Sequence, residues 1–531
     1  MLVAVALGAR PLLAVDETRY LTVAWEMWSG GDWLVPHLNG ETYSHKPPLL
    51  FWAINLIWSL TGVNETLARL VSPLFGLGSL VLTVVLGRRL WPGTPMAPAA
   101  WVVLGTLVWA GASTLSRFDV LLTFSVLTAL TGLELASRDR AGGDGGSGRR
   151  MIIGWLLFGL GTGLGVLSKG PVVLVFTLPA ALLAPLWIRG TPLAFWRQWY
   201  LGVGAGIALA ATVALAWALP AAASGGPAYG DAILWGQTGS RIVDAAAHGR
   251  PFWWYPPMLL VFFFPWIWWP PFWRSLPRPA WRTDRGLRFC AAWLVGGLVL
   301  LSIISGKQPH YLLPLVPALA LLLARAIAVS SPGGRRTDAV PAIVLALAGL
   351  AVTVIAASAI IFPDWASDLR LPPGAAGALL GLGVVMVGLG VVLIFRRREP
   401  AGSVSALALT SIGTVIAFHL AAAGPVTPLY DLEPAAQRIA ALSRAGQPIA
   451  HVGKYHGQYQ FLGRLVTPIA VITGDQVADW IDLNPDGAII AYHRTLPEPV
   501  VAPIYSQPFR SRVLAIWDAD GARADLGRFR R

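Results

Sequence analysis

Apolar runs close to the roughly 20 residues needed to cross a bilayer recur through the first 423 residues, separated by short polar stretches. The pattern predicts spans over 70–90, 97–115, 120–136, 151–167, 171–188, 199–221, 255–273, 289–305, 311–328, 340–362, 374–395 and 403–423. The apolar start, residues 2–7, is too short to span by itself. The segment 47–62 is apolar and Trp-bearing but follows a charged loop. Reading it as a span would invert every later assignment, so it is laid in the membrane interface as an amphipathic element.

Orientation follows from the basic residues, because short cytoplasmic loops are enriched in Lys and Arg. Arg88 and Arg89, the group from Arg138 to Arg150, Arg189 and Arg197, the group from Arg274 to Arg288, Arg335 and Arg336, and Arg396 to Arg398 all fall in alternate loops. Those loops are assigned to the cytoplasm. The opposite set, which includes 9–69 and 222–254, then faces outside, and so does everything after the span at 403–423. Residue 16 is also outside by this parity, so a further span should precede it; we expect thirteen in the complete protein, with the start read too late or a first helix missing.

From about residue 425 the pattern changes. Pro448–Val452, Gly487–Tyr492 and Val513–Trp517 read as short strands, alternating with helical patterns over Leu432–Ala445 and Asp475–Ile481, which predicts an open α/β unit. No phosphate-binding glycine loop is evident in it. The expected architecture is mainly α: a polytopic transmembrane helix bundle over 1–424, with a small extracytoplasmic α/β domain over 425–531. Residues 141–148, AGGDGGSG, are a flexible cytoplasmic linker by composition.

Composition sharpens this picture. Of 531 residues, 55% are hydrophobic and 13% charged, about half the roughly 25% charged fraction of soluble domains; the mean hydropathy is +0.61. The 25 Trp residues suit membrane interfaces. A net charge of +13 raises nucleic acid as a partner, but the arginines form short clusters between apolar runs, not one basic face, so nucleic acid is excluded as a partner. The single cysteine, Cys290, lies in an apolar run, which excludes an intrachain disulfide and a Cys-based metal site.

Ionisable groups are expensive to keep at a membrane face, so those that persist usually serve a site. Here they share a side. The first outer loop carries Asp16, Glu17, Arg19 and Tyr20, then Gly31-Asp32-Trp33, then His45, Lys46, Pro47 and Pro48. Asp119 lies at the outer end of a helical hairpin in Ser116-Arg117-Phe118-Asp119, Lys169 opens the following outer turn, and Lys307, His310 and Tyr311 sit between two spans. Two carboxylates among several cations suit transfer from a lipid phosphate: cations stabilise the phosphate as it leaves, and a carboxylate orients or deprotonates the nucleophile.

The string DETRYLTVAWEMWSGGDWLVPHLNGETYSHKPPLLFW resembles the first periplasmic loop of the bacterial aminoarabinose transferase family and its protein O-mannosyltransferase-like relatives, membrane glycosyltransferases of the C-type fold. Asp-Glu-x-Arg-Tyr, Gly-Asp-Trp, Lys-Pro-Pro-Leu, Ala68-Arg69-Leu70 and Arg-x-Asp at 117–119 occur in the family's order. The resemblance implies a polyprenyl-phosphate-linked sugar donor, inversion, and no nucleotide sugar. It further implies that Asp16 and Asp119 match the catalytic carboxylates and that Lys46 and Tyr311 hold the donor phosphate. The resemblance makes lipid A or another envelope glycolipid or protein the expected acceptor and the bacterial inner membrane the expected setting. The aminoarabinose enzymes usually place Glu before Lys-Pro-Pro, where this chain has His45, so metal use stays open: His45 with His248 can hold a divalent ion.

Each residue has a plainer reading. Asp16 and Asp119 are each suited to cap a following helix, and Glu17, the third candidate catalytic carboxylate, to pair with Arg19 or Arg10. Lys46, Lys169 and Lys307, the candidate cations for the donor phosphate, can instead snorkel to headgroups. Arg117, Arg241 and Arg250 suit headgroup contact, with Arg250 a second phosphate ligand in the sharper reading. The aromatic run Phe252 to Trp273 reads as an interface belt. Two other functions remain in view, a lipid-linked substrate transporter and a non-catalytic lipid-binding protein. Transporters place coupling charges near the midplane and often carry repeats; here the span centres are nearly free of charge.

Overall fold

The computed structural model describes residues 1–138, 147–236, 249–275, 280–329, 338–362, 371–395, 400–494 and 501–529; most of the 141–148 linker, Arg241 and His248 lie outside these. The first helices are α1 (Leu2–Ala9), α2 (Asp16–Gly30), α3 (Leu49–Thr61), α4 (Glu65–Leu90), α5 (Ala97–Gly105), α6 (Leu107–Ala112), α7 (Phe118–Ala136) and α8 (Ser147–Lys169). Among the described residues nine helices are long and apolar enough to cross a membrane, including α4, α7, α8, Leu193–Ser224, Arg285–Ile303 and the helix ending at Tyr430.

Three expected spans, 97–115, 171–188 and 255–273, are instead broken into short helices, and side chains replace the backbone bonds that each break removes. At the first break Thr106 is extended and fully buried. Leu107 N donates to Phe264 O at 3.0 Å, in the third broken segment, and Trp266 Nε1 donates to Thr106 Oγ1 at 3.0 Å. In the second, Pro179 and Pro185 interrupt the ladder, and the carbonyls of Ala180, Ala181 and Leu182 accept from Trp187, Trp199 and Tyr200 at 2.8, 2.9 and 3.1 Å. In the third, Trp268 and Trp273 donate to Leu260 O and Ile267 O. Irregular backbone inside a bundle is tolerated only where protein covers and satisfies it. The Phe252 to Trp273 run therefore does more than line an interface: its indoles are hydrogen-bond plugs.

Helix α7 is the most enclosed of the long helices. It packs on α8 at backbone distance because Gly132 and Gly154 face each other. A Cβ on Gly154 would sit 2.6 Å from Ala136 N, and one on Gly132 would sit 2.5 Å from Gly154 O. Such small-residue contacts drive helix association in bilayers. Helix α3 packs Leu50, Phe51, Ile54 and Trp58 inward but leaves Leu56 and Leu60 exposed. Its outer face is thus apolar as well, which fits an element lying against lipid.

The last long helix runs Pro400–Tyr430, so residues 425–430 continue it without interruption. Beyond it lies a five-stranded sheet of β3 (Ile449–Val452), β4 (Ala470–Ile472), β5 (Ala488–His493), β6 (Tyr505–Phe509) and β7 (Arg512–Asp518), in the order β4-β3-β5-β7-β6. β3 pairs in parallel with both β4 and β5, whereas β7 is antiparallel to β5 and β6. The sheet docks on the first loop. A hairpin of β1 (His37–Leu38) and β2 (Glu41–Thr42) presents Asn39, whose amide exchanges bonds of 2.9 and 2.8 Å with the Ile469 backbone. Thr22 Oγ1 donates to Gly457 O at 2.7 Å, and Trp58 stacks on Phe461 with centroids 5.5 Å apart.

Candidate active site

Asp119 is the second residue of α7, where the helix start favours negative charge. It caps no backbone group through its side chain; Arg117 is the N-cap residue. The carboxylate is buried and bonded to Lys169 Nζ, with His310 Nε2 at 3.8 Å on its other oxygen. Lys169 is the last residue of α8, and Ser168 Oγ donates to Phe118 O at 3.0 Å, which fixes the two helix ends against each other. The Lys169 ammonium also lies 4.1 Å from the centre of the Tyr311 ring. It is therefore held in the protein, not directed toward headgroups. Lys46 reaches the same place from the loop before α3, with Nζ 5.9 Å from the Phe118 ring centre.

Asp16 opens α2. It also caps nothing; its Oδ1 accepts from Arg19 Nη2 at 2.6 Å and its side chain is 52% exposed. Tyr20 stands one turn along, edge-on to Phe118 with centroids 4.9 Å apart. Burial first, then the Asp16 carboxylate, with smaller effects of Tyr43 and Asp119, push its phenol well above the ordinary value. Tyr20 thus keeps its proton and lies within the field of both carboxylates. It stands inside the Asp-Glu-x-Arg-Tyr string, but sequence reasoning gave it no role; its spacing of four from Asp16 on a helix was the available signal.

Glu17 points elsewhere. It forms a two-toothed ion pair with Arg10 and accepts from Leu13 N at 3.0 Å and Ser116 N at 2.9 Å. Arg10 continues to Thr114 O at 2.6 Å. Glu17 is 3% exposed, and its lone pairs are committed to holding the N-terminal segment against residues 114–116. Lys307 is similarly engaged: its amine donates to Arg250 O at 3.0 Å and Ile304 O at 2.6 Å, beside the bridge between Gly249 and Gly306. The Arg250 residue itself is exposed. His45 packs edge-on to Tyr43 at 5.5 Å, and His248 is outside the described residues. Among the described residues no three His, Cys, Asp or Glu side chains converge to hold a metal.

Asp119, Lys169, His310, Tyr311 and Lys46 therefore converge at one end of the bundle, with Asp16 and Tyr20 beside them. A second polar cluster occupies the other end, where Glu134 pairs with Arg89 and Arg138, and Asp284 with Arg325 at 3.0 Å.

The fold and this end-of-bundle site define a multi-pass membrane protein of the glycosyltransferase C-type architecture. Over 97% of each chain it superposes on the crystal structure of ArnT from Cupriavidus metallidurans bound to undecaprenyl phosphate, with a TM-score of 0.74 at 20% identity. The archaeal oligosaccharyltransferase AglB from Archaeoglobus fulgidus shares the fold more distantly, with a TM-score of 0.54 at 12% identity over 92% of this chain and 68% of that one. Residues 45–217 match the model of the family described as dolichyl-phosphate-mannose-protein mannosyltransferase. The undecaprenyl phosphate-alpha-4-amino-4-deoxy-L-arabinose arabinosyl transferase of Pseudomonas aeruginosa (strain UCBPP-PA14) is 35% identical over 329 residues, 61% of this chain and 57% of that protein. Its counterpart in Erwinia tasmaniensis is 31% identical over 366 residues, 67% of this chain and 62% of that protein. The chain is thus similar to the aminoarabinose transferases over about three fifths of its length and carries a segment that matches the protein mannosyltransferase family model. The sequence match spans only 57% of the first of these relatives.

Proposed function

We propose that this protein transfers a sugar, a pentose of the aminoarabinose type, from an undecaprenyl-phosphate-like donor to lipid A or another envelope acceptor at the outer face of a bacterial inner membrane. In this reading residues 1–424 are the membrane transferase and 425–531 an extracytoplasmic domain. The observation that carries it is the convergence of Lys169, Lys46, His310 and Tyr311 around Asp119 at one helix end.

The acceptor oxygen attacks the anomeric carbon while the bond from that carbon to the phosphate oxygen breaks, and the electron pair leaves on the polyprenyl phosphate. Lys46 and Lys169 face the charge that develops there, and preorganised cations of this kind supply a large part of transfer catalysis. Asp119 is a positioning residue: buried and paired, it holds Lys169 in place. Asp16, the exposed carboxylate, orients the acceptor and takes the proton when the nucleophile is a hydroxyl. A phosphate nucleophile is already anionic and needs no base. Tyr20 keeps its proton in the field of both carboxylates. Glu17, Lys307 and Arg250 shape the surrounding loops.

The test is transfer from a synthetic polyprenyl-phosphate sugar by purified Asp16→Asn, Asp119→Asn and Lys46→Ala proteins, with thermal stability measured alongside. Near wild-type transfer by all three would show that the site is elsewhere.

A further inference from the structure

The tail sheet carries a cleft of its own. It has a volume of about 420 Å³ and lies over the carboxyl ends of the three parallel strands, between residues 451–454 at and beyond the end of β3, 473–475 after β4 and 491–493 at the end of β5, with Arg512 and Arg528 on its wall. The chain passes from β3 to β4 on one side and then to β5 on the other. The strand order thus reverses at β3, and open α/β sheets bind ligands in the crevice at such a reversal.

Three buried polar atoms of residues lining this cleft are unsatisfied, Arg528 Nη1, His451 Nε2 and His493 Nε2, so a donor and imidazole nitrogens stand together. Arg528 spends Nε and Nη2 on Asp525 at 2.9 and 2.7 Å, while its Nη1 has no partner. His451 is 1% exposed; its Nδ1 meets Gly453 O at 3.3 Å and its Nε2 has no partner. A carbonyl only accepts, so Nδ1 carries the proton. Burial pushes this histidine down to about 4, which leaves Nε2 as a bare acceptor at neutral pH. A buried donor and acceptor without partners are each destabilising unless a ligand or water satisfies them. Phosphate suits Arg528, Lys454 and Arg512, but a phosphate ester that turns its charged oxygens to these cations leaves His451 Nε2 to find a donor beyond it. A sugar hydroxyl is such a donor, and it suits the Asp475 carboxylate that also lines the cleft.

We propose that this cleft is a subsite for a phosphorylated saccharide, whose phosphate is taken by Lys454, Arg512 and Arg528 and whose hydroxyl is accepted by His451 Nε2. Its position ties it to the membrane site. Lys454 on the cleft rim is three residues from Gly457, a chain distance of at most about 11 Å. Gly457 O accepts from Thr22, six residues along α2 from Asp16, a rise of about 9 Å. The cleft is thus suited to hold the far end of an anionic glycolipid acceptor whose near end is at Asp16; this last assignment rests on the transfer reading above.

The experiment is calorimetry on the full-length protein in phosphatidylcholine nanodiscs, without donor, using glucose 6-phosphate, inorganic phosphate and glucose as probes. Glucose 6-phosphate should bind saturably, at least about tenfold more tightly than glucose, which lacks the charged contacts, and roughly two- to tenfold more tightly than inorganic phosphate, which lacks the sugar hydroxyl that reaches the neutral His451. Arg512→Gln should weaken both phosphate-bearing probes. His451→Phe should erase the preference for glucose 6-phosphate over phosphate, whereas His451→Gln, which keeps an acceptor, should retain part of it and guards against a folding artefact. Absence of saturable glucose 6-phosphate binding, or equal binding of inorganic phosphate, would overturn the proposal. Because no transfer is measured, failure here leaves the membrane site standing, and loss of the membrane site leaves this result standing.

Discussion

Asp16 and Glu17 are adjacent carboxylates, and the structure assigns them opposite consequences on neutralisation. Glu17 Oε1 accepts from Arg10 Nη2 and Ser116 N, and Oε2 accepts from Arg10 Nη1 and Leu13 N. In Glu17→Gln an NH2 group replaces one of these oxygens, and in either orientation it faces two donors. The Arg10 guanidinium, whose side chain is 10% exposed, then loses its counter-charge. Breaking one side of a buried pair costs about 3–5 kcal/mol, a large part of the roughly 5–15 kcal/mol that holds a typical domain. Asp16→Asn loses only a half-exposed contact with Arg19, worth about 0–1 kcal/mol. Its effect falls on rate, by about 10²–10⁴-fold for a hydroxyl acceptor. The assay is the thermal denaturation midpoint in detergent together with turnover per folded molecule. Glu17→Gln with an unchanged midpoint and depressed turnover would refute the assignment, as would a destabilised Asp16→Asn of full activity.

Further outcomes follow from other features. Lys169→Ala strands the buried Asp119 carboxylate and should lower the melting midpoint as well as transfer, while the double variant Lys169→Ala with Asp119→Ala should recover much of the stability but no transfer. His451 is neutral when folded and takes a proton below about 6.5 when unfolded. Its contribution is therefore complete above about pH 6.5, falls as pH drops toward about 4, and amounts to about 3 kcal/mol when fully lost; hydrogen exchange in β3 should accelerate over that window, and His451→Gln should flatten the response. Gly154→Leu should separate α7 from α8 and displace Lys169 from Asp119, seen as loss of both folded yield and transfer. A reporter fused after Arg531 should be active only in its extracytoplasmic form; cytoplasmic activity would invert the proposed topology.

Hydropathy located the long helices well because they are continuous apolar runs, and their ends fell within a few residues of those observed for α7, Arg285–Ile303 and Ala375–Phe395. It could not see that 97–115, 171–188 and 255–273 are broken. A window average registers apolar content, while a break depends on whether a distant Trp or Thr stands ready to satisfy the freed groups. In the tail the strands at 449–452, 488–493 and 512–518 were legible as β-rich runs. β4 is three residues long and β6 contains Pro508, so neither gave a pattern of its own. At the site, the loop motifs pointed to Asp16, Lys46 and Asp119, and the structure gathers them with Lys169 and Tyr311. The separate duties of Asp16 and Glu17 were not readable, because helical spacing sends neighbouring residues to different faces and only the fold reveals that Arg10 awaits one of them.

The mutual repair between Thr106 and the segment around Phe264 bears on how the chain is made. The two partners are separated by 160 residues. At about 5–20 residues per second of synthesis, the first broken segment emerges roughly 8–30 s before the indole and carbonyl that complete it. Through that interval Leu107 N has no intended acceptor and Thr106 no intended donor. Such groups are costly in hydrocarbon. The half-made chain must therefore wait with this segment in contact with water or with the insertion machinery, and closure of the bundle is timed by the arrival of Trp266.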